Sequence, residues 1–180
     1  MTRPHLASLL PVALAACASP PHGRPGQSLD PLLSFTSPAL CEPGPALSAF
    51  LGGMTEGDAN EGFRPGRIVA PPAVSRALGR VRLRKADGEW LTSVPARGTW
   101  LGLPVVAIHQ DHPEGGDPGG FQIEFAAPPA ETERRLKAAG FPARADVEVE
   151  LGEPDGYAHL MTLEAVPGRP GRSLFRCGYS

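Results

Sequence analysis

The sequence predicts an α+β fold: an antiparallel sheet built from a duplicated β-α-β-β-β unit, with helices packed on one face. Two observations carry that expectation. Four landmarks recur in one order: Ala70-Pro71-Pro72-Ala73 against Ala127-Pro128-Pro129-Ala130, Gly79 against Gly140, Asp87-Gly88 against Asp155-Gly156, and Val94-Pro95-Ala96-Arg97 against Val166-Pro167-Gly168-Arg169. Self-similarity at a long period marks a repeated supersecondary unit, and the other reading is a coincidence of turn motifs, which are common punctuation in any chain. Residues 80–84 and 146–151 also alternate charged and apolar side chains, the period-two pattern of a strand with one buried face.

Each copy supplies its elements in the same sequence. Repeat 1 spans about residues 66–112 and repeat 2 about 120–180. A short apolar run opens each as a strand, 67–69 or 121–125, and prolines then suit the first turn of a helix, where an amide hydrogen is not needed. The offset between copies grows from 57 residues at Ala70 to 61 at Gly79, so the second helix is longer by about one turn. Glu131 and Glu133 near its start, with Arg134, Arg135 and Lys137 toward its end, complement the helix dipole. After the glycine come the alternating strand, an Asp-Gly hairpin turn and further strands. Val81 and Leu83, and in the second copy Val147, Val149 and Leu151, are expected in the core. Their neighbours then oppose Arg80, Arg82 and Arg84 to Asp146, Glu148 and Glu150. If the equivalent strands meet across a pseudo-twofold axis, these six form a cross-strand charge ladder; otherwise they are two solvated faces.

Upstream, residues 17–38 read as a flexible Pro/Gly tether and 39–180 as a single globular domain. A short helix is expected from Pro45 to Leu51, stopped by Gly52-Gly53, followed by an exposed loop over 55–65. With 22 prolines and 22 glycines, the chain calls for many turns and short elements.

The N-terminus sets the compartment. Arg3 precedes a mostly apolar run over residues 6–16, too short for the ~20 residues of a spanning helix. The run closes on Leu14-Ala15-Ala16-Cys17, which resembles the lipobox of bacterial lipoproteins. The resemblance covers residues 1–17. It implies that residues 1–16 are a signal peptide, that Cys17 receives a diacylglycerol, and that cleavage falls in front of it. Ala18, rather than Asp, implies the outer membrane, facing the periplasm. Ordinary secretion, with Ala16-Cys17-Ala18 as an A-x-A site, is the other reading. With Cys17 lipidated, Cys41 and Cys177 remain as an even pair, expected to be a disulfide in an oxidising compartment; two free buried thiols are the alternative. In architecture the duplicated unit is similar to the repeats of β-lactamase-inhibitory-protein-like domains, some of them envelope lipoproteins, a likeness that no motif carries.

Chemistry is sparse. Net charge is −2, or −3 without residues 1–16, so no global basic field calls for nucleic acid. No nucleophile elbow, phosphate loop, dinucleotide fingerprint or His-Glu-x-x-His occurs, and no catalytic residue or cofactor is expected. His109, Asp111 and His112, in an expected loop running to Asp117, are weak metal candidates whose spacing matches no metalloprotein signature. His159 reads as a partly buried or surface imidazole. Trp90 and Trp100 are core anchors, or exposed rings able to stack on a glycan or partner. The expected role is a non-enzymatic envelope lipoprotein that binds or scaffolds, its partners being the membrane, through acyl chains on Cys17, and an envelope protein. The alternatives are a small-ligand or metal-binding periplasmic module using the loop from His109 to Asp117, and a hydrolase, which needs a concave site holding a nucleophile and a base.

Overall fold

The computed structural model describes residues 26–58, 62–86, 89–112, 119–152 and 159–179. The lipobox, both Asp-Gly turns and residues 113–118 lie outside them. Its strands are β1 (Gln27–Ser28), β2 (Phe35–Ser37), β3 (Glu42–Pro43), β4 (Thr55–Glu56), β5 (Arg64–Pro65), β6 (Arg82–Ala86), β7 (Glu89–Trp100), β8 (Leu103–His112), β9 (Gly120–Phe125), β10 (Val149–Glu150), β11 (His159–Val166) and β12 (Arg169–Tyr179). Helix α1 is Pro45–Gly52 and α2 is Pro129–Ala138. The fold is mixed α+β and mostly sheet.

The main sheet runs β7-β8-β9-β12-β11-β10, antiparallel throughout. On the outer edge of β7, β6 pairs antiparallel along Glu89 to Ser93 and β1 pairs parallel at Gly98 and Thr99. The last strand in sequence, β12, therefore lies between β9 and β11. A two-residue turn joins β7 to β8, with Leu101 and Gly102 both at positive φ (53° and 76°), as a type I′ hairpin requires.

One face of this sheet is the core. Val94 on β7, Ile108 on β8, Ile123 and Phe125 on β9, Phe175 on β12 and Leu163 on β11 are completely buried. Leu47 and Phe50 of α1 and Leu136 of α2 join the same cluster, so both helices serve one face. At its centre Trp100 packs against Phe35, Phe125, Phe141 and Phe175, with ring centroids 5.6 to 6.4 Å apart. Trp100 is thus a core anchor, whereas Trp90 is half-buried against Phe63 and Lys85. Cys41 and Cys177 form the disulfide, Cα atoms 5.8 Å apart, across 136 residues of chain.

Several expectations are corrected. Residues 26–38 are not tether: Leu29, Leu32 and Leu33 are buried, and β1 and β2 lie within this stretch. The i, i+3, i+4 spacing of those leucines lines one face of a turn, an apolar signal masked by the surrounding prolines. The first copy's helix is a single 3-10 turn over Ser75–Ala77, because the segment is too short to repay helix nucleation. Residues 67–69 form no strand, and Val69 is exposed. Val94-Pro95-Ala96-Arg97 lies inside β7 at a register shift, where a proline's missing amide is tolerated, whereas Val166 and Arg169 flank the β11–β12 turn. In the second copy Asp146 takes positive φ (57°) and interrupts the expected strand, leaving Val149 and Leu151 against the core but Val147 exposed. The charge ladder is not formed: Arg82 and Arg84 are on β6 and Glu150 is on β10, at opposite edges of the sheet, so Arg80, Arg82 and Arg84 do not meet Asp146, Glu148 and Glu150.

Candidate ligand-binding face

Period-two alternation sends every second side chain of the sheet away from the core. No described helix packs on that second face. It is lined by Ser93 from β7, His109 and Asp111 from β8, Gln122 and Glu124 from β9, and Arg172 and Arg176 from β12. The registers Ser93 to His109 and His109 to Gln122 put the polar side chains of β7, β8 and β9 side by side, and Arg82 and Arg84 join them because they pair with Ser93 and Leu91.

Here the sheet forms a groove of about 680 Å³. Its floor is a chain of polar contacts. Ser93 Oγ lies 2.8 Å from His109 Nδ1, and His109 Nε2 faces Glu124 Oε2 at 3.6 Å, an ion-pair distance longer than a hydrogen bond. Glu124 Oε1 accepts from Arg172 at 2.8 Å and has Arg169 at 3.8 Å. Alongside, Gln122 Nε2 donates to both oxygens of Asp111, and Arg176 reaches Asp111 Oδ2 at 3.1 Å. Burial holds the His109 imidazole below its ordinary pKa of 6.5, with Arg84 adding to the effect and Glu124 and Asp111 opposing it. Neutral His109 accepts from Ser93 at Nδ1, and Nε2 then carries its proton toward Glu124.

Arginines form the walls. Arg82, Arg84, Arg169 and Arg172 line the groove, and Arg82 and Pro95 also line a neighbouring concavity with Arg76, Arg80 and Arg97. Among the described residues, none of Arg76, Arg80, Arg82, Arg84 and Arg97 makes an ion pair.

The metal candidates separate. His109 lines the groove and Asp111 lies beside it on the same sheet face, but His112, an odd number of residues from His109, faces the other way and lies 2.8 Å from Thr55 Oγ1. Among the described residues no three His, Cys, Asp or Glu side chains could hold an ion together. His109, Asp111 and His112 also lie on strand β8 rather than in a loop. His159 opens β11 and is half-buried.

The sequence reading missed Ser93, Gln122, Glu124, Arg169, Arg172 and Arg176. Alternation in Phe121-Gln122-Ile123-Glu124-Phe125 and Arg172-Ser173-Leu174-Phe175-Arg176 was the available signal. Strand order was not legible, and the site is the product of that order. No family model, curated protein or solved structure matches the chain, so its functional reading rests on these residues alone.

Proposed function

We propose that this is a non-enzymatic envelope lipoprotein, anchored through acyl chains on Cys17 to the outer membrane and facing the periplasm, whose open sheet face binds a ligand or an envelope partner. The observation that carries the binding role is the groove, a concave polar surface on a sheet face that the core does not use. The anchor is supported by Leu14-Ala15-Ala16-Cys17, and the Cys41–Cys177 bond suits an oxidising compartment. The finer reading of the fold, a duplicated unit, is supported by mirrored meanders: β6-β7-β8 and β10-β11-β12 each run inward from an edge of the sheet.

Intact mass of the membrane-extracted protein tests the anchor. A chain beginning at acylated Cys17, and loss of membrane retention in Cys17→Ser, are expected; a soluble chain beginning at Ser19 overturns it. The Ser93–His109 contact favours a second reading, a serine hydrolase, because a hydroxyl beside a neutral imidazole is the pairing that activates a nucleophile. Against it, the strands carrying Ser93, His109 and Gln122 are paired along their main chains, so the ladder amides beside Ser93 serve the sheet rather than an oxyanion. No fluorophosphonate labelling of Ser93 is expected; labelling lost in both Ser93→Ala and His109→Gln would establish the hydrolase instead.

A further inference from the structure

We infer that the groove and its neighbouring concavity form one track for an anionic saccharide, a sugar carrying phosphate or similar oxyanion groups; this rests on the reading of the open face as the binding surface. Three features of the track specify that chemistry together. First, Arg82 stands where the two concavities meet, with Arg84 on the groove side and Arg80 and Arg97 on the other. Guanidiniums without ion-pair partners gathered along a concave surface repel one another, and oxyanions relieve that through paired N–H donors. Two concavities with a shared arginine suit a ligand with at least two separated anionic groups.

Second, the floor selects against anions that lack hydroxyls. Glu124 is a side-chain acceptor at the base of the groove, and a simple polyanion or an acidic peptide would lay negative charge over it. A sugar hydroxyl instead donates to a carboxylate. Glu124 Oε2 has room for such a donor, since His109 Nε2 stands 3.6 Å away and Arg172 occupies the other oxygen. Ser93, whose proton goes to His109 Nδ1, adds an oxygen that can accept from a sugar hydroxyl. Third, apolar Leu91, Pro95 and Val106 share the lining with these groups, as the mixed polar and C–H surface of a pyranose requires. Arginines hold the charged substituents while Glu124 reads a hydroxyl.

The test is calorimetric titration of the full-length protein with glucose 1,6-bisphosphate, pyrophosphate and glucose. The bisphosphate is expected to bind at least about tenfold more tightly than either of the others. Arg82→Gln combined with Arg84→Gln is expected to weaken it by about tenfold or more with an unchanged melting temperature, since both side chains are exposed. Ser93→Ala is expected to narrow the preference over pyrophosphate while leaving pyrophosphate binding unchanged. Equal affinity for pyrophosphate and the bisphosphate overturns the saccharide reading, as does a flat titration with all three. Neither result bears on the lipid anchor, which the intact mass decides separately, so failure of the ligand class and failure of the anchored-lipoprotein reading are distinguishable.

Discussion

Burial of neutral imidazoles ties the stability of this fold to pH. His109 and His112 both titrate below 6.5 in the folded chain, chiefly because burial disfavours the charged ring. Between the lowered folded values and 6.5, the unfolded chain binds more protons than the native one, so stability there rises with pH. The contribution is complete above about 6.5 and is lost as pH falls through the folded values. Urea midpoints are expected to fall from pH 8 to pH 5, and to fall less in His109→Gln; an identical fall in the variant would place the effect elsewhere. Glycine 98 offers a second test. A Cβ there would collide with Gln27 O and lie 2.7 Å from Leu29 Cγ, where β1 pairs with β7. Gly98→Ala is expected to cost about 1–3 kcal/mol in chemical denaturation. Gly171→Ala, with nothing within 4 Å of the new methyl, is expected to change little. Residue types and periodicity were readable at this scale. The Ser93–His109–Glu124 contact was not, because it depends on the register in which β7, β8 and β9 pair, including the shifts between Pro95 and Gly98 and between Val105 and Ala107.

Helix α2 shows how a well-specified element docks. Its start at Pro129, its first-turn Glu131 and its last-turn Arg135 and Lys137 match the dipole argument, and Glu133 caps the chain beyond it by accepting from the Ala145 amide. Docking is polar as well as apolar: Thr132 Oγ1 and Ser173 Oγ, both completely buried, are 2.8 Å apart between helix and sheet. Thr132→Val and Ser173→Ala are each expected to cost about 1–3 kcal/mol by orphaning the partner, and the double variant less than their sum. Strict additivity would show that the pair contributes nothing as a pair. Additivity is instead expected for Arg82→Glu with Glu148→Arg, since Arg82 is on β6 and Glu148 immediately precedes β10, at opposite edges of the sheet. Helix α1 was legible to within a residue, since Pro45 opens it and Gly53 closes it. The first copy's helix was overestimated because its proline and glycine landmarks are shared with the second copy, whereas its length is not. The alternating run at 146–151 misled in a similar way: period two describes which faces are apolar, and it carries no information that Asp146 will turn the backbone left-handed.

For the molecule as a whole, the Cys41–Cys177 bond closes a long loop that contains most of the core. The chain-entropy model assigns such a closure up to about 5 kcal/mol, so Cys41→Ser with Cys177→Ser is expected to lower the melting temperature markedly while leaving far-ultraviolet circular dichroism unchanged at low temperature. Loss of the sheet signal at low temperature would mean that the bond is required for folding itself. Cysteine count and compartment made this pairing legible, as alternation did the existence of a sheet. The topology that places β12 between β9 and β11 came from neither.

That placement imposes an order in time. The strand joining the two halves of the sheet is the last of the described strands to be made, so no portion of the chain ending before residue 169 can complete the sheet, and β9 and β11 wait with open edges for residues 169–179. If the chain is exported as proposed, being unable to finish folding early suits its passage through a membrane. The same wait leaves Cys41 without Cys177 until β12 is made, while Cys17, the other cysteine of the sequence, precedes both. Under the proposed anchoring, acylation of Cys17 would do more than hold the protein at the membrane: it would remove the other cysteine of the sequence as a competitor for the disulfide.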